Sequence, residues 1–246
     1  MTSESLPSSK DDSSPSFSDP LASALWQARL RVGPLQAADW PDISAARGQA
    51  VGAELYAALR AAGETLRGAK LGVTDKQAQR NLGADGPMVA PIHDGAAIED
   101  GATISLAELI APKLEPEFGL RVEHGEIMAV PCIEIIDSRW SGDVTIGHLM
   151  ADFGWQARMM FGPASAPPSH VDVVVSHDGK EQASGSQELE RVTPAIALTR
   201  AAIEGFDELA VAFVATGTIV PAIPLAVGRW VVDFGALGTL ELNVEA

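Results

Sequence analysis

Apolar residues recur at helical spacing in two early stretches, LASALWQARLRV and GQAVGAELYAALRAAGE, and again much later in PAIALTRAAIEGFDEL. Two helices are therefore expected between Asp19 and Gly68. Asp42 or Ser44 stands ahead of the second as a cap, and Gly63 follows it as a stop. A third helix is expected over Thr193–Glu208. From Ala69 onward the texture changes to short runs rich in Val and Ile, broken by Gly, Pro and Asp. LRVEHGEIMAV, HVDVVVSHDGKEQASG, LAVAFVATGTIV and GRWVVDFGALGTLELNV all read as strands and turns, with His124-Gly125 and Asp178-Gly179 as hairpin turns. Helices first and a mostly antiparallel β body afterwards describe an α+β protein rather than a regular βαβ alternation.

Composition bounds the partners. The 246 residues are 46% hydrophobic, enough for one sizeable core, and 33 acidic against 17 basic residues give a formal charge of −16. Such a charge opposes binding to nucleic acid or to an anionic membrane surface, and any anionic substrate would need a metal or local cations to reverse the field. The single cysteine, Cys132, forbids an intrachain disulfide, so the cytoplasm is the default compartment. Residues 1–20 are rich in Ser, Pro and Asp, contain no apolar run for a signal peptide or membrane span, and read as a disordered tail. This leaves a helical part over 21–68 and a β-rich part over 69–246. No Walker loop, dinucleotide glycine fingerprint, zinc-type Cys/His set or nucleophile elbow is present.

Carboxylates supply the candidate chemistry. In PKLEPEFGLRVE a strand sends Leu114, Phe118, Leu120 and Val122 one way, and Glu115, Glu117, Arg121 and Glu123 the other. Periodicity alone equally describes a half-buried strand with a charged, solvated outer face. Glu134 lies in the apolar run VPCIEIID, where an ionised carboxylate costs several kcal/mol unless a cation or hydrogen bonds compensate. Its partner is either an arginine, Arg121 or Arg139, or a metal. Three carboxylates from two strands, with room for water and a bidentate ligand, suit octahedral Mg²⁺ or Mn²⁺.

AKLGVTDKQAQRNLGADGP, APKLEPEFGLRV, CIEIIDSRW and ATGTIVPAIPLAVGRWVVDFGALGTLEL, in that order, resemble the 2-keto-4-pentenoate hydratase and 4-oxalocrotonate decarboxylase family of the fumarylacetoacetate hydrolase-like superfamily. The resemblance spans roughly residues 47 to 244 and rests on Lys-x-Gly-x-Thr, Glu-x-Glu, and a later Glu followed by Ser-Arg. It implies a small N-terminal helical part on a larger mixed β roll, with Glu115, Glu117 and Glu134 holding Mg²⁺ or Mn²⁺. It further implies Lys70 and Asp85 as catalytic residues, and Thr216, Gly217 and Arg139 at the substrate. Homo-oligomeric assembly and a place in aromatic catabolism are implied too. In this chain the family's Ala-Asp-Asn-Ala-Ser run is replaced by Ala151-Asp152-Phe153-Gly154-Trp155, which puts Phe153 where an amide would face substrate. SGSQELERVTPAIA likewise lacks the family's Gly-x-Pro/His-x-x-Ala approach to its helix.

The activity so implied is a metal-dependent lyase that hydrates a 2-hydroxy-dienoic or 2-oxo-enoic acid through a stabilised enolate. Decarboxylation of the 4-oxalocrotonate type needs the same ligands. A carbon–carbon hydrolase of the fumarylacetoacetate type would need a histidine beside a carboxylate, for which His93 and Asp94 are the available pair. A non-catalytic relative acting as a binding or assembly partner is the remaining class.

Overall fold

The computed structural model describes residues 15–123, 126–202 and 211–246. The chain begins with helix α1 (Pro20–Arg31), entered through Asp19, whose side chain accepts the Leu21 N–H and pairs with Arg47 at 2.9 Å. Asp19 is thus a cap, and the end of the supposed tail is tied down; residues 1–14 lie outside the described set. Helix α2 (Ala45–Ala61) starts at Ser44, the anticipated cap, and is followed by Gly63 at φ +96°. The first strand, β1 (Leu66–Gly72), begins ahead of residue 69. Then come α3 (Lys76–Leu82), β2 (Met88–His93), β3 (Lys113–Glu123) and β4 (Glu126–Ile136), followed by α4 (Ile146–Ala151) and β5 (Gln156–Phe161). The chain finishes with β6 (His170–His177), β7 (Lys180–Glu188), α5 (Pro194–Ala202), β8 (Val211–Ala215), β9 (Gly228–Asp233) and β10 (Thr239–Glu245).

Helices α3 and α4 were not anticipated, because seven and six residues are too few for a 3.6-residue period to show. Caps make them instead: Asp75 accepts the Gln77 and Ala78 amides, and Thr145 forms a capping box with His148. The expected Thr193–Glu208 helix is present as α5, and its distal part, 203–210, lies outside the described residues, as does the expected His124-Gly125 turn. Asp178 and Gly179, both at positive φ, close the β6–β7 hairpin.

Among the described residues the larger sheet runs β2-β1-β8-β3-β4-β5, with the short strands Ala97–Ile98 on β5 and Ile223–Pro224 on β3. The smaller runs β7-β6-β9-β10, ending on Thr103–Ser105. Most pairings are antiparallel, while β8 runs parallel to β1. The two sheets share one core. Phe118, Leu120, Ile133 and Ile135 from the larger meet Val173, Trp230, Val232 and Leu242 from the smaller.

A second core joins Leu21, Leu25, Val51 and Leu55 of α1 and α2 to Leu149 of α4, to Met88 and Ala90 of β2, and to Phe153. Helices α2 and α4 approach so closely that a Cβ on Gly48 would stand 2.1 Å from the Gly147 carbonyl oxygen. Residues of α4 and β2 thus pack into the same core as the helices of 21–68. No described helix is long and apolar enough to cross a membrane.

Candidate metal centre

Strands β3 and β4 form an antiparallel ladder that sets Glu115 opposite Glu134 and Glu117 opposite Cys132. Directly opposed residues share a face, and so do residues two apart on one strand. The register therefore gathers all three carboxylates, with one oxygen of each within 4.8 Å of the others. Glu117 and Glu134 are fully buried and Glu115 is half-buried. The solvated outer face is overturned at Glu115 and Glu117, which are half-buried and fully buried, while Arg121 and Glu123 at the far end of β3 remain partly exposed.

Lys70, on β1, is 2% exposed rather than on the surface, and donates to Glu134 Oε1 at 2.5 Å and to the Gly154 carbonyl at 3.0 Å. This lysine, and neither arginine, is the partner of Glu134. Arg121 lies near Glu123, and Arg139 Nε donates to both Asp152 oxygens at 2.7 and 2.9 Å.

Burial is the main force on the carboxyl groups. It raises Glu115 to about 7, helped by the charge of Glu134, and holds Glu117 well above the carboxylate range, helped by Glu134 and Glu115. Burial raises Glu134 as well, with Lys70 pulling the other way. On Lys70, burial works against the ammonium, but the attraction of Glu134, Glu115 and Glu117 outweighs it and the group stays charged. With all three carboxylates ionised, the one ammonium leaves two negative charges, which a divalent cation would balance. Glu117 Oε1 and Glu134 Oε2 are buried without a hydrogen-bond partner, so the donor set fits such a cation.

A cavity of about 200 Å³ adjoins this cluster, its lining including the polar or charged Lys70, Thr74, Glu115 and Thr218, the Gly217 backbone, and the apolar Leu82, Leu149, Ile136 and Trp155. Gly217 (φ +98°) turns its N–H onto Glu117 Oε2 at 2.8 Å, so it orients a carboxylate and does not face an anionic ligand. Thr216 is buried beneath, donating to the Phe118 carbonyl at 2.5 Å.

Phe153, Gly154 and Trp155 all have positive φ, at 50°, 61° and 66°. For the two non-glycine residues this left-handed turn costs on the order of 1–2 kcal/mol each. It points the Gly154 carbonyl at Lys70 and brings Trp155 to the cavity wall.

Phe153 is thereby excluded from that wall. It is 2% exposed in the helical core, with the Arg29 guanidinium 4.9 Å over its ring. Asp85 is exposed on the bend after α3 and does not line the cavity. Arg139 faces a different cavity and is saturated by Asp152 and the carbonyls of Asp152 and Gln156. The His93–Asp94 pair does not form: His93 lies 3.4 Å from Glu64 and Asp94 pairs with Arg67. Trp155, Thr218, Leu82 and Leu149 had gone unnoticed; the only signal was the altered Asp-Phe-Gly-Trp segment.

No family model matches the chain. The 4-oxalocrotonate decarboxylase of Pseudomonas sp. (strain CF600) is 26% identical over 214 residues, covering 77% of this chain and 81% of that protein. The 2-hydroxyhexa-2,4-dienoate hydratase of Comamonas testosteroni is 28% identical over 212 residues, covering 74% and 80%. The chain is a homologue of the 2-keto-4-pentenoate hydratases and 4-oxalocrotonate decarboxylases. This homologue superposes with a TM-score of 0.79 on 4-oxalocrotonate decarboxylase from Pseudomonas putida G7, complexed with magnesium and adipate, at 23% identity over 92% of this chain and 96% of that one. A fumarylpyruvate hydrolase from Pseudomonas aeruginosa, in complex with Mn²⁺ and pyruvate, gives 0.52 at 15% identity, covering 72% and 88%. The fold is a mixed helix and curled-sheet architecture shared with these two structures.

Proposed function

We propose that this homologue is a metal-dependent hydro-lyase acting on 2-hydroxy-dienoic or 2-oxo-enoic acids, with Glu115, Glu117 and Glu134 as the metal ligands and Mg²⁺ or Mn²⁺ as the metal. The observation that carries it is the convergence of three carboxylates, two of them fully buried, and one buried ammonium at a largely apolar cavity. A divalent cation there supplies Lewis-acid stabilisation of enolate charge. The chain's own groups do the rest. Lys70 spends two of its three donor hydrogens on Glu134 and Gly154, which leaves one for a substrate oxygen. The Gly217 amide steadies Glu117. Asp85 has no part unless its loop moves inward.

The largely apolar lining favours hydration of a monocarboxylate over decarboxylation of a dicarboxylate. Lys70 is the one cation among the described residues lining the cavity, and it is engaged by Glu134. A distal carboxylate would meet no second cation there, only the Trp155 indole N–H, which has no partner among the described residues, and the hydroxyls of Thr74 and Thr218. Purified protein should hydrate 2-hydroxypenta-2,4-dienoate or its methylated homologue only with Mg²⁺ or Mn²⁺ added. Release of CO₂ from 4-oxalocrotonate at a higher kcat/KM would favour the decarboxylase reading instead. The assembly is proposed to be a homo-oligomer, and the compartment the cytoplasm.

A further inference from the structure

A second cavity, of about 110 Å³, shares no lining residue with the first. Most polar groups around it are accounted for. Arg139 is held by Asp152, the Asp137 carboxylate accepts the Ile110 and Ala111 amides, Arg158 pairs with Glu108 at the rim, and His93 faces Glu64. Two lining side chains are not. Gln156 is 1% exposed, and both its Oε1 and its Nε2 lack a hydrogen-bond partner. Arg29 Nε and Nη2 are closed off from solvent without one, the nearest carboxylate oxygen, Asp152 Oδ1, standing 3.5 Å from Nη2.

Each such atom left unpaired costs on the order of 1–3 kcal/mol, so four of them in two side chains that line one cavity call for a partner. Their chemistry specifies which. The Arg29 guanidinium carbon stands 4.9 Å over the Phe153 ring, and in any guanidinium Nε and Nη2 form an in-plane fork that matches the two oxygens of a carboxylate. Three donor atoms stand against one acceptor, so the missing partner is rich in acceptors. Arg29 is also depressed to about 9, first by burial and then by the neighbouring charge of Arg139, with Arg158 adding to it and Asp152 pulling the other way; a second anion would offset the repulsion from the two arginines. The volume holds a few waters or one small molecule.

We propose that this cavity is a second, non-catalytic site for a small carboxylate, gripped by the Nε/Nη2 edge of Arg29 and by the Gln156 amide. The full chain, kept in EDTA so that carboxylates find no metal, is unfolded thermally in sodium acetate, in sodium pyruvate and in sodium chloride at matched ionic strength. Either organic anion should raise the midpoint in a saturable way that chloride does not. Pyruvate alone would assign the site to 2-oxo acids, and both together to carboxylates at large. Gln156→Leu deletes two unpartnered atoms, so it should hold or raise the midpoint in chloride while weakening the anion tenfold or more. Gln156→Glu carries its own carboxylate to Arg29 and should abolish the anion effect while stabilising the chain. Equal midpoints in all three salts, or a carboxylate effect that persists in both variants, would overturn the proposal.

Discussion

Lys70 and Glu134 form one buried ion pair, yet removing one partner should have the opposite consequence to removing the other. Lys70→Met leaves three carboxylates in a sealed site with no cation; truncating one partner of a buried pair costs about 3–5 kcal/mol. In a chain of this size each kcal/mol lowers the melting midpoint by about 2–4 °C, so a fall on the order of 10 °C is expected at pH 8 without metal. The loss should shrink at pH 5. Burial has raised all three folded-state carboxyl pKa values, so the native state binds protons that the unfolded state releases as pH climbs, and the excess charge disappears on acidification. Added Mg²⁺ should also restore part of it. Glu134→Gln, by contrast, keeps an acceptor for Lys70 and removes one of the two surplus charges. Its metal-free midpoint should be unchanged or higher, while metal affinity falls by about 100-fold or more. Thermal melts of both variants at the two pH values, with and without Mg²⁺, read all of this. A Lys70→Met variant as stable as the parent, or a Glu134→Gln variant less stable than Lys70→Met, would refute the charge accounting.

Three further outcomes are expected. Because Glu115 is held near 7, Mg²⁺ affinity should rise as pH climbs from 5.5 towards 8, with proton release in calorimetry below pH 7; a flat profile would remove Glu115 from the ligand set. Trp155→Ala should raise kcat/KM for dienoates with longer tails relative to the five-carbon substrate, whereas Phe153→Asn should cost about 3 kcal/mol or more of stability and leave that ratio alone. Sedimentation at micromolar concentration should show a species heavier than the 25.7 kDa chain, and a lone monomer would end the oligomer proposal.

The carboxylate cluster was legible early because a strand has a period of two. Glu115 and Glu117 had to share a face, and Glu134 in its apolar run demanded a cation. The sequence also carried the two leading helices, the strand-rich body after them, the Ser44 cap, the Gly63 stop and the Asp178-Gly179 hairpin, since each is a local preference written in a few residues. Register and charge partnership are not local. Tertiary structure alone set Glu134 opposite Glu115, brought Lys70 from another strand to neutralise it, and paired Arg139 with Asp152, though Asp137 and Glu134 lay nearer in sequence. The same holds for Phe153 and Trp155. They are two aromatic residues on either side of a glycine, and only the handedness of the turn, enforced by packing against Arg29 and β2, sent the first into the helical core and the second to the cavity.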